Sequence, residues 1–151
     1  MLTRRTALGL LAAAPATFAL FPQTALAREP EVFQNPVAIN GIDPVAYFDQ
    51  KKPVKGSKNH KVKWKGAEWR FSSAANVSKF TANPAAWAPV FGGYCAYAAS
   101  RGYLAPTIPE AWTIYEGKLY LNANLRAQSL WRKDIPGNIA AGLGNWPGIL
   151  G

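Results

Sequence analysis

Residues 112–121 read WTIYEGKLYL and predict a β-hairpin. Two runs of aromatic and branched apolar residues flank the turn at residues 116–117, where glycine is favoured because it readily adopts a positive φ. A second hairpin is expected upstream, where Val62 and Trp64 alternate with lysines and residues 69–71 form the return strand. Antiparallel hairpins are therefore the first predicted feature of the fold.

Short helices are predicted between and after the hairpins. Asp43 before Pro44 is typical of an N-cap followed by proline in the first helical turn. Ser73 can cap the helix that follows the first hairpin, and Asn122 or Asn124 can cap the helix that follows the second. The order of elements indicates one small α+β domain in which antiparallel hairpins carry short helices packed on one face.

The C-terminal tail is expected to dock on this domain. Residues 134–137, DIPG, should end the preceding helix, because proline and glycine interrupt helices. Trp146 and Ile149 then offer apolar anchors in the tail from residue 138 onward. The domain as a whole is predicted to span residues 28–151.

Residues 92–98, GGYCAYA, contain the only cysteine of the chain, Cys95. They predict a loop that opens into a short helix from residue 94 to about residue 101, ended by Gly102. Cys95 would then lie in the first helical turn, where free N–H groups and the helix dipole favour a thiolate. One cysteine cannot form an internal disulfide, so Cys95 is a buried apolar residue, a metal or redox thiol, or an intermolecular link.

A binding site centred on Cys95 is one functional hypothesis. Asp43 is one of the candidate ligand-binding residues, but helix capping also accounts for it without a ligand. A metal version of the site would add His60, the only histidine, since thiolate and imidazole suit copper or zinc. Two such ligands do not complete a closed site, which a second copy of the chain could complete. The candidate ligand-binding residues are Cys95, Tyr94, Tyr97, Trp112 and Asp43.

The sequence favours binding over catalysis. A nucleophilic Cys95 would need a base beside it, and His60 is the only imidazole available. No serine–histidine–aspartate pattern, phosphate loop or paired histidine motif is visible. We therefore expect a non-enzymatic binding protein, with a structural or interaction protein of the cell envelope and a Cys95-dependent enzyme as the alternatives.

Residues 1–27 have the three-part pattern of an export signal. The basic pair Arg4-Arg5 precedes an apolar run over residues 7–20, and Ala25 and Ala27 present small side chains before a predicted cleavage after Ala27. The arginine pair resembles a twin-arginine signal, with an ordinary secretory signal as the alternative. The apolar run is too short and too broken by prolines to predict a membrane span. The mature protein is expected in the periplasm.

The chain is basic, with a formal net charge of +9. Removal of the signal would lower this charge to +7, because Arg4 and Arg5 leave with it. Seven lysines lie between residues 51 and 65. They predict a solvated strand surface, or else a contact with an anionic envelope surface. Export makes nucleic acid an unsuitable partner.

Several motifs resemble the YHS domain. Residues 41–48 (GIDPVAYF), residues 65–76 (KGAEWRFSSAAN) and Phe80 followed by an Asn-Pro pair carry this resemblance. The blocks GGYCA at residues 92–96 and DIPGN at residues 134–138, with a later Trp-Pro pair, are similar to exported YHS-domain-containing proteins of bacteria. The resemblance covers about residues 39–150.

The resemblance implies a YHS-like fold and a link to metal handling. Metal-type members carry cysteines just after the Asp-Pro-Val run and in the strand-to-helix turn, where this chain has Ala46, Ser72 and Asn76. The resemblance therefore implies a variant without the usual metal cysteines. The resulting expectation is a periplasmic, non-catalytic binding protein of the YHS type whose metal, if it handles one, is copper or zinc.

Overall fold

The computed structural model describes residues 13–17, 19–20, 22 and 26–151. Over residues 26–151 the chain forms two antiparallel hairpins with short helices between and after them. The predicted small α+β domain is thereby confirmed. Arg4, Arg5 and Ala25 of the predicted signal peptide lie outside the described residues, as does much of its apolar run.

The regular elements are short, and most are separated by a few residues. Within residues 26–151, three 3₁₀ turns at Ile39–Gly41, Val90–Gly93 and Gly148–Leu150 supplement them. In chain order the elements are α1 (Pro44–Asp49), β1 (Ser57–Trp64), β2 (Ala67–Phe71), α2 (Ala74–Ala82), α3 (Pro84–Trp87), α4 (Ala96–Ser100), β3 (Trp112–Tyr115), β4 (Lys118–Leu121), α5 (Leu125–Arg132) and α6 (Ile135–Asn145).

The first hairpin contributes Trp69 and Phe71 to the main core, the larger cluster of buried apolar residues, which also contains Phe80. Strand β1 pairs with β2 in antiparallel register, with Val62 opposite Trp69. Trp69 and Phe71 are buried against Phe80 of α2, at ring-centroid distances of 5.3 and 5.0 Å. Aromatic side chains of this size bury enough apolar surface to fix the hairpin against the helix.

The second hairpin connects the main core to a smaller one. Strand β3 pairs with β4, with Trp112 opposite Leu121. Leu121, the last residue of β4, also forms an isolated parallel bridge with Cys95. Strand β3 pairs with no second strand in the part of the chain that the structure describes. Tyr120 faces Trp131 of α5 at 5.0 Å, and both belong to the smaller core. The carbonyl of Trp112 accepts a hydrogen bond from Gln128, so the outer edge of β3 lies next to α5.

Two predicted boundaries were wrong. Helix α4 begins at Ala96, so Cys95 is its N-cap rather than a residue of its first turn. The segment at residues 134–137 ends α5 but also begins α6, because Asp134 caps the new helix through a bond to the N–H of Gly137 and proline is tolerated in a first turn. The chain after α6 packs on the domain, where Leu150 is buried.

Candidate functional site

Cys95 is sealed in the domain. The residue is only 2% exposed to solvent. The sulfur accepts a hydrogen bond from the N–H of Ala98 at 3.5 Å and lies 3.4 Å from Oδ1 of Asn122, to which the thiol donates. The thiol therefore serves as a helix cap, and of the three roles considered for Cys95 this geometry favours that of a buried residue.

Asn122 fixes the position of Cys95. It is fully buried at the end of β4, and its Oδ1 accepts from the thiol of Cys95 and from the N–H of Tyr97 at 3.0 Å. Its Nδ2 has no hydrogen-bond partner among the described residues. The helix cap at α5 comes from Asn124 instead, which resolves the two alternatives of the sequence in favour of Asn124.

Asp43 is the centre of a closed polar cluster, which we call the Asp43 cluster and which consists of Asp43, Ser72 and Asn76. Oδ1 of Asp43 accepts from the N–H groups of Val45 and Ala46, so Asp43 caps α1 as predicted. Oδ2 accepts from the N–H and the hydroxyl of Ser72, at 2.8 and 2.7 Å, and from Nδ2 of Asn76 at 2.8 Å.

This cluster occupies the place where the YHS resemblance implies metal cysteines in other members. Ala46, Ser72 and Asn76, the residues that stand at those positions, all bond to Asp43. The carboxylate is 0% exposed and accepts five hydrogen bonds, which stabilise its buried charge. A ligand could reach Asp43 only by displacing these bonds.

His60 lies in β1, in the first hairpin, and is half-buried. No group of three or more histidine, cysteine, aspartate or glutamate side chains that could hold a metal ion occurs within the described residues. The hydrogen-bond partners of the Cys95 sulfur are Asn122 and the backbone of α4. Cys95 and His60 are the two predicted metal ligands. Among the described residues, neither belongs to a group of three or more side chains that could hold a metal ion.

The other predicted binding residues lie in separate places. Tyr94 is buried, packs between Phe33 and Trp146, and donates its hydroxyl to the carbonyl of Pro30 at 2.9 Å. Burial raises its pKa, and the negative charge of Glu29 adds to this. Tyr97 is half-buried on α4, with the guanidinium of Arg101 4.9 Å from its ring centroid. Neither tyrosine contacts the sulfur through a hydrogen bond.

Trp112, another predicted binding residue, lines a wide cavity. Its ring lies 5.5 Å from that of Tyr47, whose hydroxyl donates to the carbonyl of Pro109 at 2.8 Å. Burial raises the pKa of Tyr47, and Glu110 raises it further. The cavity, which we call the β3–α5 cavity, has a volume of about 540 Å³ and is lined by Lys51, Glu110, Trp112, Thr113, Ile114, Gln128 and Arg132.

Gln128 and Arg132 connect α5 to the outer edge of β3. They are four residues apart and therefore lie on one face of the helix. The carbonyl of Trp112 accepts from Nε2 of Gln128 at 2.6 Å and from Nη2 of Arg132 at 3.3 Å. The hydroxyl oxygen of Thr113 accepts from the same two side chains, at 3.4 and 3.1 Å. These bonds hold the guanidinium in one orientation beside the cavity.

Two other cavities have a larger apolar share in their linings than the β3–α5 cavity. A cavity of about 170 Å³ is lined by Trp64, Trp69 and Trp146, and its Lys65 is already paired with Glu31 at 2.7 Å. A cavity of about 410 Å³ lies beside Tyr94 and is lined largely by apolar residues such as Phe33 and Leu104. Of these three cavities, the β3–α5 cavity is the one with an arginine, Arg132, in its lining.

Sequence reasoning named Trp112 as a binding residue, but beside Cys95 rather than in this cavity, and it missed Lys51, Gln128 and Arg132. The spacing of Gln128 and Arg132 on a predicted helix was visible in the sequence. Their proximity to Lys51 was not, because it depends on how the second hairpin and α5 pack against the turn after α1.

Comparison with protein-family models, with curated proteins and with solved structures found no match for this chain. No helix within residues 13–17, 19–20, 22 and 26–151 has both the length and the apolar character needed to cross a lipid bilayer.

Proposed function

We propose that this chain is an exported, periplasmic binding protein of the YHS type without catalytic activity. The signal-like pattern of residues 1–27 supports the location, and the motifs at residues 41–48 and 65–76 support the family. The observation that carries the binding function is the β3–α5 cavity. At about 540 Å³ it falls within the range of roughly 300–1,000 Å³ typical of small-molecule sites.

The distribution of polar groups favours binding over catalysis. The thiol of Cys95 is buried and used as a cap, and the carboxylate of Asp43 is saturated with donors. A nucleophile must be reachable by substrate and needs a base within hydrogen-bond distance. The polar side chains of Thr113, Gln128 and Arg132 instead line a space open to solvent.

Native mass spectrometry tests this proposal. The protein is isolated from the export compartment without denaturant, and its native mass is compared with its mass after denaturation. We expect a small-molecule adduct that is lost on denaturation, on a chain that begins at Arg28. A native mass equal to that of the polypeptide would contradict the binding function, and a retained signal would contradict export and cleavage after Ala27.

Metal handling is the narrower version of this proposal, and it rests on the YHS resemblance. It would use Cys95 and His60 toward copper or zinc, and it requires Cys95 to leave its cap. Elemental analysis of the exported protein and of Cys95→Ser tests it. Metal lost in the variant would support a site at Cys95, and equal metal content would remove Cys95 from any site.

An interaction with the anionic cell envelope is the second candidate. Strand β1 presents Lys58, Lys61 and Lys63 as exposed side chains, of which Lys61 pairs with Glu68 at 3.6 Å. Sedimentation with vesicles of anionic phospholipid tests this candidate. Salt-sensitive binding that is lost when these three lysines become glutamine would support it, and unchanged binding would reject it.

A further inference from the structure

The β3–α5 cavity has an arrangement of charge that defines the chemistry of its ligand. Lys51 and Arg132 are its basic residues and Glu110 its acidic one. The ion pairs among the described residues join Lys61, Lys65, Arg70 and Lys79 to other carboxylates, and Arg132 belongs to none of them. The charged residues that line the cavity therefore have a net positive charge. One of them, Arg132, is held in place by neutral oxygens of β3.

Arg132 keeps hydrogen-bonding capacity after it has been positioned. Its bonds to β3 use one Nε and one Nη2 donor. A guanidinium has further N–H donors in the same plane, and these suit the paired oxygens of a carboxylate or phosphate. The hydroxyl proton of Thr113 is also free of these bonds, because Thr113 acts in them only as acceptor.

Covering the edge of β3 is the structural alternative for these contacts. An unpaired strand edge needs protection, and Gln128 and Arg132 supply donors to the carbonyl of Trp112. This role accounts for Gln128, which is buried. It leaves unexplained why a guanidinium rather than a second amide is used, and why Lys51 lines the same space.

The apolar part of the cavity restricts the ligand further. Trp112 and Ile114 line it beside the polar groups, and the ring of Trp112 packs against that of Tyr47. A flat apolar group can pack against such a surface while its charged end meets Arg132 and Lys51. Inorganic anions would lack this contact.

We infer that the β3–α5 cavity binds a small organic oxyanion in which a carboxylate or phosphate ester is joined to a flat apolar group. Arg132 binds the oxyanion through two N–H donors, Lys51 adds a second positive charge, and Trp112 contacts the apolar group. This inference rests on the proposed binding function and names its ligand class.

Isothermal titration of the purified protein at low ionic strength tests the site. The probes are benzoate, phenyl phosphate and inorganic phosphate. The variants are Arg132→Gln, Arg132→Lys and Lys51→Gln, with Arg126→Gln as the control. Arg126 is an exposed arginine of the same helix that does not line the cavity, so its variant removes the same charge. Arg132→Lys keeps the charge and separates the fork geometry from the net charge.

We expect at least one organic anion to bind more tightly than inorganic phosphate. Arg132→Gln and Lys51→Gln should weaken that binding by about tenfold or more, Arg132→Lys by less than Arg132→Gln, and Arg126→Gln by less than about twofold. Binding of benzoate alone would identify a carboxylate ligand, and binding of phenyl phosphate alone a phosphate ester.

Three results would overturn the inference: neither organic anion binds, inorganic phosphate binds as tightly as both, or Arg126→Gln weakens binding as much as Arg132→Gln. If one of these occurs while native mass spectrometry still detects an adduct, the binding function stands and the site assignment is wrong. If no adduct is found either, both fall together.

Discussion

The Asp43 cluster and the β3–α5 cavity are both built from polar side chains at the junction of a hairpin and a helix, yet they differ in how their hydrogen bonds are used. In the Asp43 cluster the carboxylate is buried and accepts five hydrogen bonds from neighbouring groups. In the β3–α5 cavity Arg132 is held by β3 and retains free donors beside open space.

This difference indicates a stabilising role for the Asp43 cluster and a binding role for the β3–α5 cavity. A buried polar cluster that is fully satisfied stabilises one conformation and has nothing left to offer a ligand. A polar group that is positioned but not saturated can bind a ligand without first losing internal bonds. The comparison predicts large losses of stability from changes in the Asp43 cluster and small ones from changes in the cavity.

The largest effect is expected for Asp43→Asn. The amide replaces one carboxylate oxygen with a donor, which then faces donors from Ser72 and Asn76 or from the backbone of α1. We expect a loss of about 3 kcal/mol in the free energy of unfolding, measured by urea denaturation.

Asp134→Asn is the matched control for this change. Asp134 caps α6 from an exposed position, and asparagine caps helices as well as aspartate does. Its unfolding free energy should stay within about 0.5 kcal/mol of the unchanged protein. Similar losses in the two variants would show that Asp43 is no more than an ordinary cap.

Cys95→Ala should have the next largest effect. It removes the cap of α4 and the contact with Asn122, so we expect a loss of about 1–2 kcal/mol in the free energy of unfolding. In the unchanged protein the thiol should react with a disulfide reagent only when the domain opens. Rapid labelling under native conditions would contradict a sealed Cys95.

Tyr47→Phe probes the contact between the main core and the cavity. It removes the hydrogen bond to Pro109 and should cost about 1 kcal/mol at neutral pH. Because the folded state raises the pKa of Tyr47, its contribution is complete below the unfolded value of about 10 and is lost as pH rises through the folded pKa.

The variant should therefore lose less stability than the unchanged protein between neutral pH and strongly alkaline pH. Thermal unfolding measured across this range checks the expectation. Tyr103→Phe changes an exposed tyrosine and serves as the control. Equal alkaline losses in the protein and in Tyr47→Phe would show that burial does not protect this phenol.

Arg132→Gln is expected to have the smallest effect on stability. Arg132 is exposed, and glutamine can still donate to the edge of β3, so the change in the free energy of unfolding should be about 0.5 kcal/mol or less. Urea denaturation beside Arg126→Gln measures it. If Arg132→Gln lowered the free energy of unfolding as much as Asp43→Asn does, Arg132 would be a structural residue. The proposed difference between the two regions would then be wrong.

The hairpins and most helix caps could be predicted from the sequence because they depend on local patterns. Asp43 and Ser73 precede their helices, and glycine follows the turn residue in each hairpin. Helix α6 was missed because Pro136 and Gly137 were interpreted as helix breakers, whereas after a capping Asp134 they belong to a first turn.

The candidate site was harder to predict because its residues are brought together by tertiary packing. Trp112 stood out as an aromatic residue in a strand, but Lys51 and Arg132 come from opposite ends of the domain sequence. The emphasis on Cys95 followed from its uniqueness. Its thiol donates to Asn122, a residue whose side chain the sequence suggested only as a helix cap.

Chemical-shift mapping of the isotope-labelled protein during titration with benzoate and phenyl phosphate tests the central contrast most directly. The account predicts that backbone signals of Trp112, Thr113, Gln128 and Arg132 shift in a saturable way, while those of Asp43, Ser72, Asn76 and Cys95 stay in place. Saturable shifts centred on Asp43 or Cys95, with the signals of β3 and α5 unchanged, would contradict it.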